Sequence, residues 1–179
     1  MFKKKKQSLQ TLYPEYTIGK WTYGTPKIRR WGEEAVLQIG AFCSIAEGVK
    51  IFLGGEHRID WVTTFPFNVL WESGRGIKGH PKTKGDVKIG NDVWLGAECI
   101  VLSGVTISDG AVVGARSVVA QDIPPYAVAA GNPARIVKKR FDDVTIERLL
   151  RIHWWDWDDR KIEAALPMLL NNDIRSFLE

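Results

Sequence analysis

The chain has 179 residues, 45% of them hydrophobic and 26% charged, which excludes a disordered chain and leaves room for one domain with a real core. Its formal charge of +4, from 25 basic and 21 acidic residues, does not by itself call for nucleic acid. No stretch reaches the roughly 20 apolar residues of a membrane span, the opening residues lack the apolar segment of a secretory signal, and two cysteines build no disulfide framework, so a reducing, cytoplasmic setting is expected.

Part of the positive excess sits in the run Lys3 to Lys6, which reads as a solvated tail rather than as a contact with an anionic membrane. An isolated hydrophobic pair, Ile18-Gly19, comes next. From Ile39 the pattern becomes regular: Ile39-Gly40, Ile45-Ala46 and Ile51 are spaced by six. The frame resumes at Ile89 and continues through Leu95, Val101, Ile107, Val113 and Val119. Four positions after these aliphatic residues come Val93, Cys99, Val105, Ala111, Ser117 and Ile123. Six is neither the 3.6 of a helix nor the 2 of an ordinary strand. It is the hexapeptide period of a parallel β-helix. Each hexad is then one short strand and a turn, and three hexads close a triangular coil. Both cysteines occupy the small inward position, where they act as buried hydrophobes rather than nucleophiles.

Between the two runs the frame breaks from about Gly54 to Asp86, which predicts a loop ejected between coils. The prolines at 124, 125 and 133 end the repeat. Two helices are expected beyond it, over residues 144–152 and 161–170. The first is capped by Asp142 or Asp143 and the second by Asp158 or Asp159. Trp154, Trp155 and Trp157 lie between them as a packing plug. The expected organisation is a β-helix domain over 1–140, carrying the loop at about 54–86, with a helical extension of that domain over 141–179.

Several stretches together resemble the xenobiotic branch of the hexapeptide-repeat acyltransferases, which contains type B chloramphenicol acetyltransferases and streptogramin acetyltransferases. They are Ile39-Gly-Ala-Phe-Cys-Ser-Ile45, Gly54-Gly-Glu-His-Arg-Ile-Asp-Trp61 and Thr64-Phe-Pro-Phe67. Further along come Ile89-Gly-Asn-Asp-Val-Trp-Leu-Gly96, Gly131-Asn-Pro-Ala-Arg135, Arg140-Phe141 and Trp154-Trp-Asp-Trp157. The resemblance runs from about residue 36 to residue 165. General rules favour right-handed crossovers between parallel strands, so the left hand of the expected mainly-β coil rests on the resemblance alone. The same resemblance implies a homotrimer with acetyl-CoA lying between neighbouring coils. Trp94, Ala97, Ala115, Ala120 and Gln121 would then lie along the donor, with Arg135 and Lys138 near its phosphates.

Acetyl transfer from a thioester to an alcohol needs a base for the hydroxyl proton, and histidine suits that work near neutral pH. His57, on the ejected loop, matches the family's base. His80, between Gly79 and Pro81, reads as a surface residue, and His153 as packing beside the tryptophans. Glu56 and Asp60 are the carboxylates near enough in the chain to orient His57. Three sequence departures stand out: Glu56 itself, a short segment between Gly24 and Gln38, and Asp158 in place of a proline. The short segment points to a sugar or surface-polysaccharide hydroxyl as acceptor. The alternative is O-acetylation of chloramphenicol or a streptogramin, and a third option is an amino-sugar nitrogen. A zinc-dependent carbonic anhydrase would need three clustered histidines, which this spacing disfavours, so no metal is expected. A purely structural β-helix would have no use for the histidine loop.

Overall fold

The computed structural model describes residues 8–32 and 35–178, so the lysine run Lys3 to Lys6 lies outside the described residues. Three narrow sheets make the sides of a triangular prism. The first side stacks Thr17–Ile18, Leu37–Ile39, Val87–Ile89 and Thr106–Ile107. The second stacks Ser44–Ile45, Trp94–Leu95, Val112–Val113, Ala127–Gly131 and Ala134–Lys139. The third holds Lys27–Arg29, Lys50–Phe52, Ile100–Val101 and Val118–Val119. Every neighbouring pair is parallel except the last two strands of the second side.

The register is the sequence period made physical. Ile89 pairs with Ile107, Leu95 with Val113 and Val101 with Val119, each pair three hexads apart. Two residues per hexad point inward, as Leu37 and Ile39, Cys43 and Ile45, and Val49 and Ile51 all do. Burying each such aliphatic side chain stabilises the coil by about 1.5–3 kcal/mol. Burial also pushes the Cys43 thiol up to about 11 and the Cys99 thiol up to about 12, so both behave as core hydrophobes.

Most corners turn on a residue with positive φ, three positions after the inward aliphatic. Glycine fills it at Gly48, Gly104 and Gly110, but Phe42, Asp92, Glu98, Arg116 and Tyr126 do so elsewhere, with φ between 53° and 60°. A left-handed conformation costs a non-glycine residue roughly 1 kcal/mol. The stacking offsets it, because the amide of each such residue donates to a carbonyl in the adjacent coil. Asp92 donates to Ala41 at 2.9 Å, Arg116 to Ala97 at 2.8 Å and Tyr126 to Asp109 at 2.9 Å. Asn91 adds a side-chain rung at the corner between first and second sides. Its Oδ1 accepts from the Ala41 amide at 2.8 Å, while its own amide and Nδ2 donate to Asp109 Oδ1.

One repeat position is corrected. Ile123 was expected at the small inward position, but it bridges Ile107 and so takes the aliphatic one. The frame slips by two residues after Val119, and the next inward residues become Ala127 and Ala129. Past Gly131 the chain reverses, and Ala134–Lys139 runs antiparallel along Ala127–Gly131, leaving the parallel coil.

The helices Asp143–Ile152 and Asp159–Leu169 follow, capped by Asp142 and Asp158 rather than by their neighbours. The carboxylates accept from the Thr145 and Lys161 amides, each at 2.8 Å. A short helix, Ile174–Leu178, was not anticipated. Trp155 is buried, Trp154 packs on Phe42 at 5.0 Å, and Trp157 sits beneath Lys161 at 3.9 Å. Tyr126, Ile146 and Leu149 join these helices to the corner of the coil.

Candidate active site

The frame break becomes a loop between Lys50–Phe52 and Val87–Ile89, leaving the prism at the corner between third and first sides. Its neck is closed by backbone. Glu56 and Lys82 exchange amide–carbonyl bonds of 3.0 and 2.8 Å, and Thr83 Oγ1 donates to the Leu53 carbonyl at 2.8 Å. Gly55 is required here, since a Cβ would lie 2.5 Å from the Trp31 ring.

His57 projects just beyond this neck, exposed, with Nδ1 2.7 Å from the Thr64 carbonyl oxygen. A carbonyl can only accept, so Nδ1 carries the proton and the neutral ring keeps its lone pair on Nε2. That is the tautomer a base needs, and a backbone atom selects it.

Neither suspected carboxylate does so. Glu56 turns back to the coil, where its Oε1 accepts from Ser103 Oγ at 2.8 Å, with Lys84 Nζ at 3.9 Å. Asp60 is held by two bonds from Arg58, and that guanidinium draws its carboxyl down to about 2. His80, expected at the surface, is instead half-buried against His57. The ring centroids are 4.7 Å apart and the planes 84° from parallel. His153 is exposed and stacked on Trp155. Among the described residues no three His, Cys, Asp or Glu side chains are grouped to hold a metal.

The same loop carries an open cleft of about 450 Å³, lined by Trp61, Val62, Phe65, Phe67 and Ile77 together with the polar Asp60, Thr63 and Asn68. Ile59, Val62, Leu70 and Trp71 stand exposed on the same loop. Such a patch is the mark of a binding or contact surface.

The residues expected along the donor fall into three places. Trp94 is exposed on the second side and shares an outward row with Val112, Val128 and Lys138, strand to strand. Three strand spacings put Trp94 and Lys138 about 14 Å apart. Together these four line a cavity of about 550 Å³, with Asp92 and Arg140 at its head. Arg135 pairs with Ala130, two residues on from Val128, and is exposed. Ala97 and Ala115 stack at the corner between second and third sides, where the Arg116 amide donates to the Ala97 carbonyl. Ala120 and Gln121 occupy the next corner, past Val118–Val119, which is the corner from which the His57 loop leaves. They do not continue the Ala97–Ala115 groove on one chain.

In a triangular prism that corner faces away from the second side. His57 and Trp94 are therefore on opposite flanks of one chain. Arg140, absent from the expected set, binds Asp92 at 3.1 Å and the Gly110 carbonyl at 2.7 Å. Burial raises the Asp92 carboxyl, and the Arg140 charge offsets part of that rise.

Known proteins agree with this architecture. The family model for bacterial transferase hexapeptide (six repeats) matches residues 86–121. A chloramphenicol acetyltransferase of Klebsiella aerogenes is 45% identical over 143 residues, which are 77% of this chain and 68% of that protein. A virginiamycin A acetyltransferase of Staphylococcus aureus is 35% identical over 187 residues, covering 94% of this chain and 85% of that protein. Among solved structures, a maltose O-acetyltransferase from Clostridium difficile 630 superposes with a TM-score of 0.50 at 34% identity. It covers 70% of this chain, and the chain spans 59% of that one.

These relatives overturn the sugar hydroxyl expected as acceptor. The antibiotic-named proteins match over larger shares of their length than the maltose enzyme does. The physical reason is local. The cleft on the ejected loop is lined by residues 60–77, five of them aromatic or aliphatic, and by none of the short Gly24–Gln38 segment, so the length of that segment did not report on it.

Proposed function

Since the chain belongs to the hexapeptide-repeat acetyltransferases, in their xenobiotic branch, we propose that it moves the acetyl group of acetyl-CoA to a hydroxyl of an antibiotic, chloramphenicol or a streptogramin, with His57 as general base. The chain is an acyltransferase, and its coil is the left-handed parallel β-helix of that family.

The observation that carries this reading is the Nδ1–Thr64 bond, which leaves the Nε2 lone pair free to take a proton, on the same loop that forms the largely apolar cleft. Nε2 takes the hydroxyl proton as the acceptor oxygen attacks the thioester carbon, then returns it to the departing thiolate. The aromatic and aliphatic side chains of the cleft offer a face for an aromatic or macrocyclic body, and Asp60, Thr63 and Asn68 offer its polar groups partners.

The donor fits the exposed Trp94–Lys138 row on chemical grounds. An indole and two apolar side chains offer a face for the pantetheine arm, and Lys138 and Arg135 offer cations for the phosphates. Ala97 and Ala115 would flank that arm. Because His57 and Trp94 flank opposite sides of one chain, a site uniting them takes His57 with Ala120 and Gln121 from one subunit and the Trp94 row from the next. Three such contacts close a C3 homotrimer with three sites. No helix among the described residues is long and apolar enough to cross a membrane, and a cytoplasmic enzyme using the cellular acetyl-CoA pool follows from the same reading.

Subunit mixing tests this arrangement. His57→Ala and Lys138→Glu chains are each expected to be weak acetyltransferases alone. Co-assembled, they should regain activity, because some contacts then pair an intact base with an intact donor row. No recovery on mixing would place the whole site within one chain.

A further inference from the structure

We propose that His80 is a positioning residue for His57, holding the base ring in the plane that keeps Nδ1 on the Thr64 carbonyl and Nε2 toward the acceptor. The inference rests on the acetyl-transfer reading above and goes beyond it, since His80 matches no expected site residue.

Among the described residues His57 has one polar tether, the 2.7 Å bond to Thr64, and the residue is exposed. A single hydrogen bond fixes one atom of a ring but leaves rotation about the Nδ1 direction open. The second constraint is His80, edge-to-face at 4.7 Å with the planes 84° apart, a geometry that aromatic rings prefer. His80 is itself anchored. Its carbonyl accepts from Asn68 Nδ2 at 2.9 Å, and the Glu56–Lys82 bridge two residues away brings the two arms of the loop together at this height. Asn68 belongs to the short helix Phe67–Leu70, whose Phe67 lines the cleft. The wall of the cleft and the plane of the base thus share one support. His80 touches the base and not the reacting atoms, and it acts through His57.

The test pairs kinetics with a spectroscopic readout. In His80→Ala, kcat should fall by roughly ten- to a hundredfold through misorientation of the base, with KM for acetyl-CoA and for the antibiotic within about twofold. His80→Phe keeps a flat ring at the same place and should recover most of kcat. Nitrogen-15 NMR of His57 should show a protonated Nδ1 and a bare Nε2 in wild type and in His80→Phe, and a mixture of tautomers in His80→Ala. This arm needs no turnover, so it reports on the positioning even if neither antibiotic proves to be a substrate. An unchanged kcat in His80→Ala, or equal losses in both variants with the His57 tautomer intact, would overturn the proposal. So would a rise in both KM values matching the fall in kcat, which is the signature of a collapsed loop.

Discussion

Glu56 is the most informative residue to remove, because chain proximity assigns it to the base and the structure assigns it to the coil. Its carboxylate accepts the hydroxyl proton of Ser103, which is 3% exposed, and Ser103 Oγ in turn accepts from the Lys84 amide at 3.2 Å. A hydrogen bond to a charged group contributes about 1.5–3 kcal/mol. The Glu56 side chain keeps 31% of its exposure and the Lys84 ammonium is 3.9 Å away, so the lower end applies and the ion pair adds little. Glu56→Ala should therefore cost about 1.5 kcal/mol, lowering Tm by roughly 3–6 °C in a chain of this length. The loop bearing His57 loses its side-chain tie, so kcat should drop on the order of tenfold. Glu56→Gln retains an acceptor oxygen and should cost well under half as much. A double-mutant cycle with Ser103→Ala should return a coupling of about 1 kcal/mol. Calorimetric melting with steady-state kinetics measures all of this. A Tm within 1 °C of wild type, with kcat unchanged, would mean that the Glu56–Lys82 backbone bridge holds the loop alone and that the reasoning is wrong.

Three further outcomes are expected. His57→Ala should lose turnover by a factor on the order of 10² to 10⁴ while acetyl-CoA binding by calorimetry stays within about twofold. Cys43 and Cys99, buried and with thiols pushed up to about 11 and 12, should resist iodoacetamide at pH 8 in the native protein and react once guanidinium unfolds it. Mass spectrometry counts the adducts, and labelling of the native form would contradict the inward placement. Asp142 has its carboxyl lowered by the Thr145 bonds. Its contribution is complete above the unfolded value near 3.9 and disappears as pH falls through the lower native value. Melting curves below pH 4 should show a smaller acid loss for Asp142→Asn than for wild type, because the amide still caps and does not titrate.

The inward residues were legible because a period of six leaves them no other role. Phe42, Asp92, Glu98, Arg116 and Tyr126 were not recognisable as left-handed corner residues, since only glycine announces that conformation and the stacked coil imposes it on the others. Ile123 misled because an isoleucine satisfies either inward position, and only the pairing with Ile107 reveals the slip. The loop and its histidine were readable from the frame break and the local motif. The group that sets the His57 tautomer was not, because a backbone carbonyl has no letter of its own. Glu56 and Asp60 illustrate the converse, as neighbours in chain that face elsewhere in space. His80 was hidden because its contact depends on residues 56 and 82 pairing across the whole loop. Ala97 and Ala115 differ from Ala120 and Gln121 by a corner of the prism, a distinction visible only once the hexads are folded into sides.

The central claim is transfer of acetyl to an antibiotic hydroxyl with His57 as base. The most direct measurement is mass spectrometry of the acceptor after incubation with acetyl-CoA, using chloramphenicol, a streptogramin and a panel of sugars, for wild type and His57→Ala. One added acetyl group on an antibiotic hydroxyl, formed by wild type and nearly absent with His57→Ala, is the predicted result. Acetylated sugar with both antibiotics untouched, or equal product from the two enzymes, would contradict it.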